Sequence, residues 1–268
     1  MTTRLASSCP GADDVPAYRT SARETERVAD LLALVPASGT VALDVGTRDG
    51  HLARLLAARY GVVVALDIVR PRVEHPGVER VQGDITALPF GDDRFDVVLC
   101  AEVLEHISPE LLEKACRELT RVTRGSLVVG VPYRQDLRCG ATTCGTCGAV
   151  NPPWSHVNTF DEARLGDLFA PLSATETSYV GSTHEITNPV SAALMNFAGN
   201  PFGTYEQEET CAYCHSELHV PLGRTRTQRV ATRAAFVINK LQRQFARPHA
   251  NWIQIRFDKT PSGSPTAR

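Results

Sequence analysis

Leu43-Asp44-Val45-Gly46-Thr47-Arg48-Asp49-Gly50-His51-Leu52 is the stretch on which the fold turns. Val41 to Val45 is a short apolar run of strand character that ends in glycine, and helical spacing takes over from His51 to Tyr60. Gly46 lets backbone approach a ligand closely. Gly50 permits a tight entry into a helix whose first N–H groups attract an anion. A dinucleotide fingerprint does not fit, because positions 46, 48 and 51 hold Gly, Arg and His rather than three glycines.

Working outward, the same rhythm repeats. Val28, Leu31, Leu32 and Val35 recur at helical spacing before Pro36 stops the helix begun near Tyr18. Strands are expected at Val62–Leu66, Val78–Val81, Phe95–Cys100 and Ser126–Val131, with a helix over Leu111–Val122. Such alternation predicts an α/β protein, doubly wound, with helices on both faces of a mostly parallel sheet. After Pro132 the rhythm breaks. A helix from Asp161 to Phe169, a strand near Ala174–Val180 and a last strand at Trp252–Phe257 complete the core. The expected division is a core of 18–180 plus 251–258, a Cys-rich insert of 132–155 and 181–250, and flexible ends at 1–17 and 259–268.

The 268 residues are 43% hydrophobic and 22% charged, an ordinary globular composition, and the formal net charge of -2 gives no bulk attraction to nucleic acid or anionic surfaces. No apolar stretch reaches the ~20 residues of a membrane span, and the N-terminal residues lack a signal-peptide core, so a cytoplasmic location is expected.

Two acids sharpen the loop reading. Asp67 ends the second strand about 20 residues past Gly46, where a carboxylate can accept ribose hydroxyls. Asp84, in Gly83-Asp84-Ile85, follows the third strand, where it could take an adenine amino group while Ile85 packs on the ring. Each acid alone could equally cap a helix or form a turn.

Taken together, Leu43–Val131 resembles class I S-adenosylmethionine-dependent methyltransferases of the quinone-biosynthesis-like, type 11 group. The matching stretches are Leu-Asp-Val-Gly-Thr-Arg-Asp-Gly, Ala-Leu-Asp-Ile, Gly-Asp-Ile-Thr-Ala-Leu-Pro-Phe and Phe-Asp-Val-Val-Leu-Cys-Ala-Glu-Val-Leu-Glu-His. The resemblance implies a Rossmann-like, seven-stranded sheet and S-adenosylmethionine as cofactor. It implies that Asp44, Gly46, Thr47, Arg48 and Gly50 surround the methionine end and that Asp67 and Ile68 hold the ribose. Asp84 and Ile85 would hold the adenine, and Cys100 and Ala101 would lie at the sulfonium. Arg48 departs from the family's usual middle glycine.

Methyl transfer from a sulfonium requires alignment, exclusion of water and, for a hydroxyl acceptor, removal of a proton. Glu102, Glu105 and His106 follow the fourth strand at spacings i, i+3 and i+4, which share one face if a helix begins there. They could simply cap or orient that helix. Glu-x-x-Glu-His is similar to a divalent-metal motif of ubiquinone-pathway O-methyltransferases and small-RNA 2′-O-methyltransferases. In the latter a later histidine completes the site, and His156 stands in a comparable place. The resemblance thus implies a divalent metal on Glu102, Glu105, His106 and His156 that lowers the pKa of an acceptor oxygen. His106 or His156 as a plain general base is the alternative.

The chain has eight cysteines. Cys9, Cys100 and Cys116 are scattered and read as small apolar residues. Cys144-Gly-Thr-Cys147-Gly and Cys211-Ala-Tyr-Cys214 are two knuckles that together satisfy tetrahedral Zn²⁺ in a closed structural site. Cys139 and His215 are spare candidates for a ligand. A haem attachment at Cys211 to His215 or a redox pair fits less well.

Val230, Ala234, Val237, Leu241 and Phe245 form one helical stripe, and Arg226, Arg229, Arg233, Lys240, Arg243 and Arg247 an adjoining one. The reading favoured is a docked amphipathic helix with a solvated basic face; an anionic partner is the alternative. His184, Asn188 and Asn196 are candidates for an acceptor pocket, or loop and cap residues. The expected activity is O-methylation of a small-molecule hydroxyl, on a secondary metabolite or sugar that can be anionic. The absence of aromatic-interleaved basic motifs weighs against RNA. An RNA methyltransferase and a non-catalytic cofactor-binding scaffold with a zinc recruitment module are the rival readings.

Overall fold

A computed structural model describes residues 19–206 and 210–260. They form two compact units. The larger takes the described residues of 18–133 with Phe160–Gly181 and 250–260; the smaller takes Arg134–Thr159 and Ser182–His249.

The larger unit is built on one sheet. Its strands are β1 (Gly39–Val45), β2 (Tyr60–Asp67), β3 (Val78–Gln82), β4 (Phe95–Ala101), β5 (Thr123–Pro132), β8 (Ser173–Val180) and β9 (Trp252–Asp258). They lie in the order β3-β2-β1-β4-β5-β9-β8. The first five run parallel; β9 is antiparallel to both β5 and β8. This is the seven-stranded, mostly parallel sheet expected.

The core follows from period-2 alternation on strands buried on both faces. Val41, Leu43 and Val45 of β1 and Val98 and Cys100 of β4 point to one side. There they meet Leu112, Cys116 and Leu119 of α3 (Pro109–Val122) and Leu165 of α4 (Glu162–Leu168). Ala42, Val97 and Leu99 point to the other, against Leu31 and Leu34 of α1 (Ala22–Leu34) and Leu56 of α2 (His51–Leu56). The chain reverses direction across the sheet between β1 and β4, and the register sets Val45 beside Cys100. That crevice at the carboxyl ends of the strands is where open α/β sheets bind ligands.

Two local expectations change. The helix after Gly50 stops at Leu56 rather than Tyr60, because Tyr60 already begins β2. No α-helix begins at Glu102. Leu104–His106 is a single 3₁₀ turn, and α3 starts only at Pro109, whose missing N–H suits the first helical turn. Glu102, Glu105 and His106 therefore do not share an α-helical face.

The smaller unit holds the hairpin β6 (Thr142–Thr143) and β7 (Val150–Asn151), then α5 (Pro189–Phe197) and α6 (Arg226–Arg243). Thr183 and His249 exchange backbone hydrogen bonds of 2.8 and 3.1 Å where its second segment begins and ends. Asn188 caps α5 by accepting from the Val190 and Ser191 amides, and Asn196 bonds Asn200, so both serve local structure. The expected flexible ends lie outside the described residues apart from Lys259 and Thr260. Lys259 continues the β5–β9 pairing by one residue, donating to the Gly125 carbonyl at 2.8 Å.

Candidate functional site

The turn after β1 is held by backbone and side chain together. Gly46 and Thr47 donate to the Leu66 carbonyl at 2.8 and 3.2 Å, and Thr47 Oγ1 donates to Asp44 at 2.6 Å. Gly46 has φ +73°, and a Cβ there would stand 2.3 Å from Val103 Cγ2; at Gly50, with φ +74°, it would stand 2.3 Å from Val73. Internal packing and left-handed backbone thus require both glycines, quite apart from any ligand. Arg48, where the family resemblance expects glycine, adopts φ +50° all the same.

Burial raises the Asp44 carboxyl to a pKa of about 7, with Thr47 only partly opposing the shift. Asp67 accepts the Arg48 amide at 2.9 Å and the Val69 amide at 3.3 Å, and stays partly open to solvent. Each of its oxygens keeps lone-pair capacity for a further donor. Asp84 is exposed and accepts from the Thr86 amide at 2.8 Å. Ile85 is buried in the core, while Ile68 stands half exposed beyond Asp67. The Cys100 thiol points into the core, where burial pushes its pKa well up, so only its backbone is presented at the strand end. Ala101 closes β4.

Beyond Ala101, Glu102 takes φ +56°, a conformation that costs a non-glycine residue about 1 kcal/mol or more. Its amide donates to the Gly130 carbonyl, and its Oε2 accepts from Trp252 Nε1 at 3.1 Å. Glu105 is 0% exposed, and neither carboxylate oxygen has a hydrogen-bond partner. Burial, and then the neighbouring Glu102, drive its pKa well above the usual range. A buried carboxylate with no donor is costly unless protonated or shared with a cation. A ring nitrogen of His106 lies within 4.8 Å of a Glu105 oxygen. Desolvation and then Arg48 lower the His106 pKa to about 4. His106 is exposed, and with its pKa lowered the imidazole is neutral at pH 7, the state that can coordinate a cation. An orphaned carboxylate beside a neutral imidazole is a donor set that fits a divalent metal. His156 belongs to the smaller unit, where its Nδ1 meets Gln135 Oε1 at 2.6 Å and its ring leans on Trp154.

A charge network with no mark in the sequence adjoins these residues. Arg27 pairs bidentately with Glu24, at 2.9 and 3.0 Å, both side chains buried on α1. Arg19 bridges Glu24 at 2.5 Å and Asp49 of the glycine turn at 2.9 Å. Arg27 also lies 3.9 Å from Glu102 and stacks over Trp252 with Arg23. Glu24 and Arg27 stand at i, i+3 on α1, but Asp49, Glu102 and Trp252 lie far along the chain, so spacing announces the pair and not the network.

In the smaller unit, Cys144, Cys147, Cys211 and Cys214 bring their sulfurs within 4.8 Å of one another. The Cys144–Cys214 and Cys147–Cys211 separations are 3.5 and 3.7 Å. Each pair sits on the same turn: Gly148 N–H returns to the Cys144 carbonyl and His215 N–H to the Cys211 carbonyl, both at 2.9 Å. Gly148 and His215 occupy the matching left-handed positions, φ +75° and +59°. His215 is thereby the exposed turn residue, and neither it nor Cys139 joins the four-sulfur group. The Cys147 and Thr146 amides at the Cys144 sulfur lower that thiol's pKa. Asn151, unflagged by the sequence, is buried and accepts from the Ala212 amide at 2.9 Å, tying the β6–β7 hairpin to the second knuckle. Four sulfurs and no carboxylate are a donor set that fits zinc.

The fold is the Rossmann-like methyltransferase fold. It covers 92% of this chain and 92% of the N-methyltransferase NodS of Bradyrhizobium japonicum bound to S-adenosylhomocysteine, with a TM-score of 0.52 and 16% identity. Residues 43–128 match the family described as a methyltransferase domain. A Mycobacterium tuberculosis protein named "Probable S-adenosylmethionine-dependent methyltransferase" is 29% identical over 149 residues, 53% of this chain and 51% of that one. The demethylmenaquinone methyltransferase of Renibacterium salmoninarum is 33% identical over 124 residues, 44% of this chain and 51% of that one. Residues 43–128 thus resemble the methyltransferase domains of S-adenosylmethionine-dependent methyltransferases, on a chain that shares their fold. The chain spans about half the length of these curated relatives.

Proposed function

We propose that the protein transfers a methyl group from S-adenosylmethionine to a hydroxyl oxygen of a small molecule. The observation that carries the hydroxyl reading is Glu105, a fully buried carboxylate without a hydrogen-bond donor, set beside His106 just past the end of β4. When bound, the cofactor supplies an electrophilic methyl on a sulfonium. Asp44, Gly46, Thr47, Arg48 and Gly50 hold its methionine end, Asp67 and Ile68 its ribose, Asp84 and Ile85 its adenine, and Cys100 and Ala101 flank the sulfonium.

Glu102, Glu105 and His106 are the residues of the larger unit assigned to the acceptor. A divalent cation on them would lower the pKa of an acceptor hydroxyl. The chain's own part is to fix the acceptor oxygen in line with the methyl and to exclude water. Zinc on Cys144, Cys147, Cys211 and Cys214 is structural, since four thiolates leave no open position. It also suits a unit whose cluster around the cysteines has few apolar members, chiefly Leu218, Ala149 and Tyr205.

Incubation with methyl-labelled S-adenosylmethionine and separated RNA, sugar-nucleotide and small-metabolite fractions tests this. Label is expected in a small-molecule ether, lost on exhaustive chelation and reduced at least ~100-fold in Glu105→Ala. Label confined to RNA overturns the acceptor assignment. Cofactor binding without turnover on any fraction makes the chain a scaffold.

A further inference from the structure

The hairpin of α5 and α6 carries a surface that the proposed methyl transfer does not use. The two helices join through the α6 face bearing Ala231 and Ala235, small residues that permit close approach. Asn188 donates to Gln242 at 2.7 Å and Gln228 to the Phe197 carbonyl at 3.2 Å, holding them side by side. The stripe read from the sequence as the docked face is therefore not docked. Val230, Val237 and Leu241 are 62, 59 and 55% exposed, and Phe245 beyond the helix end is 87% exposed. Single exposed apolar residues are ordinary, but a stripe aligned along about 16 Å of one helix is not.

Directly beside that stripe run Arg226, Arg229, Arg233, Lys240 and Arg243. Among the described residues none of them forms a salt bridge, and neither helix contains an acid. The outward half of α6 is thus part aliphatic and part cationic, although the whole chain is slightly acidic. We propose that this face is a docking surface for an anionic lipid bilayer. The aliphatic side chains enter the headgroup–acyl boundary while the basic stripe meets lipid phosphates. Nucleic acid would satisfy the basic residues and leave Val230, Val237 and Leu241 without an apolar partner. A bilayer boundary satisfies both halves at once.

Co-sedimentation of the full-length protein with vesicles tests the proposal. Vesicles of equal parts phosphatidylglycerol and phosphatidylcholine should retain the protein, and phosphatidylcholine alone should retain at least ~10-fold less. Arg229→Glu with Arg233→Glu should lower retention at least ~10-fold. So should Val237→Ser with Leu241→Ser, which leaves every charge in place. All four positions are exposed, so thermal melting should be unchanged and serves as the check on folding. Retention that ignores the serine substitutions overturns the proposal, as does no retention on anionic vesicles. A dimer in sedimentation velocity that those same substitutions dissolve would assign the face to a second copy. Binding to single-stranded RNA that they leave untouched would assign the charge to nucleic acid; either result overturns the bilayer reading.

Discussion

Gly46 and Arg48 both sit in left-handed backbone two residues apart, at different cost. Gly46 has no alternative, because a Cβ would strike Val103 as well as strain φ. Gly46→Ala should destabilise the protein by ~2 kcal/mol or more and abolish S-adenosylhomocysteine binding, read by urea unfolding and calorimetry. Arg48→Gly releases the strain at φ +50° and should raise stability by ~1 kcal/mol in the same unfolding assay. Asp44 gives a pH signature. Its folded pKa of about 7 lies above the unfolded value near 3.8, so the folded state binds the extra proton between them. Stability should therefore fall as pH rises from about 4 to about 7 and level off above that. Asp44→Asn should remove this part of the slope, seen in melting temperatures at pH 5 and pH 8.

At the scale of elements, the two cysteine knuckles show how a short repeat closes a site. Each Cys-x-x-Cys turn aims its own amides at its first sulfur, Thr146 and Cys147 at Cys144 and Tyr213 and Cys214 at Cys211, and Asn151 braces the second turn from the hairpin beside the first. If the four thiolates hold zinc as proposed, Cys211→Ser should lose it and melt the smaller unit, read as metal content by mass spectrometry and as loss of its thermal transition. Asn151→Ala should keep the zinc but weaken its retention against a chelator about 10-fold or more, because the ligands remain while their orientation loosens.

For the whole molecule, each compact unit has its own reason to hold together, one a layered apolar core and the other a four-sulfur cluster. Calorimetry should therefore resolve two thermal transitions. S-adenosylhomocysteine at about 100 times its Kd should add about 2.7 kcal/mol to the larger unit alone. A strong chelator should lower only the other transition. A single transition moved by both reagents would show the units to be energetically one.

Alternating apolar runs were enough to place the strands and helices of the larger unit. Each central strand is buried on both faces, so burial leaves an uninterrupted pattern in the chain. The glycine turn, Asp67 and the two knuckles were legible for a related reason: their chemistry depends on neighbours in sequence, through backbone angle or fixed ligand spacing. Three features belong to the tertiary structure alone. Glu105, an orphaned carboxylate, sits in a single 3₁₀ turn where helical spacing suggested more. The Arg19–Glu24–Arg27–Asp49 network joins residues from α1 and its approach to the glycine turn. The apolar stripe of α6 faces water because Ala231 and Ala235 fit closer to α5 than larger side chains could. Periodicity records that a helix has two faces; which face is buried depends on the shape of the partner, and that shape is written elsewhere in the chain.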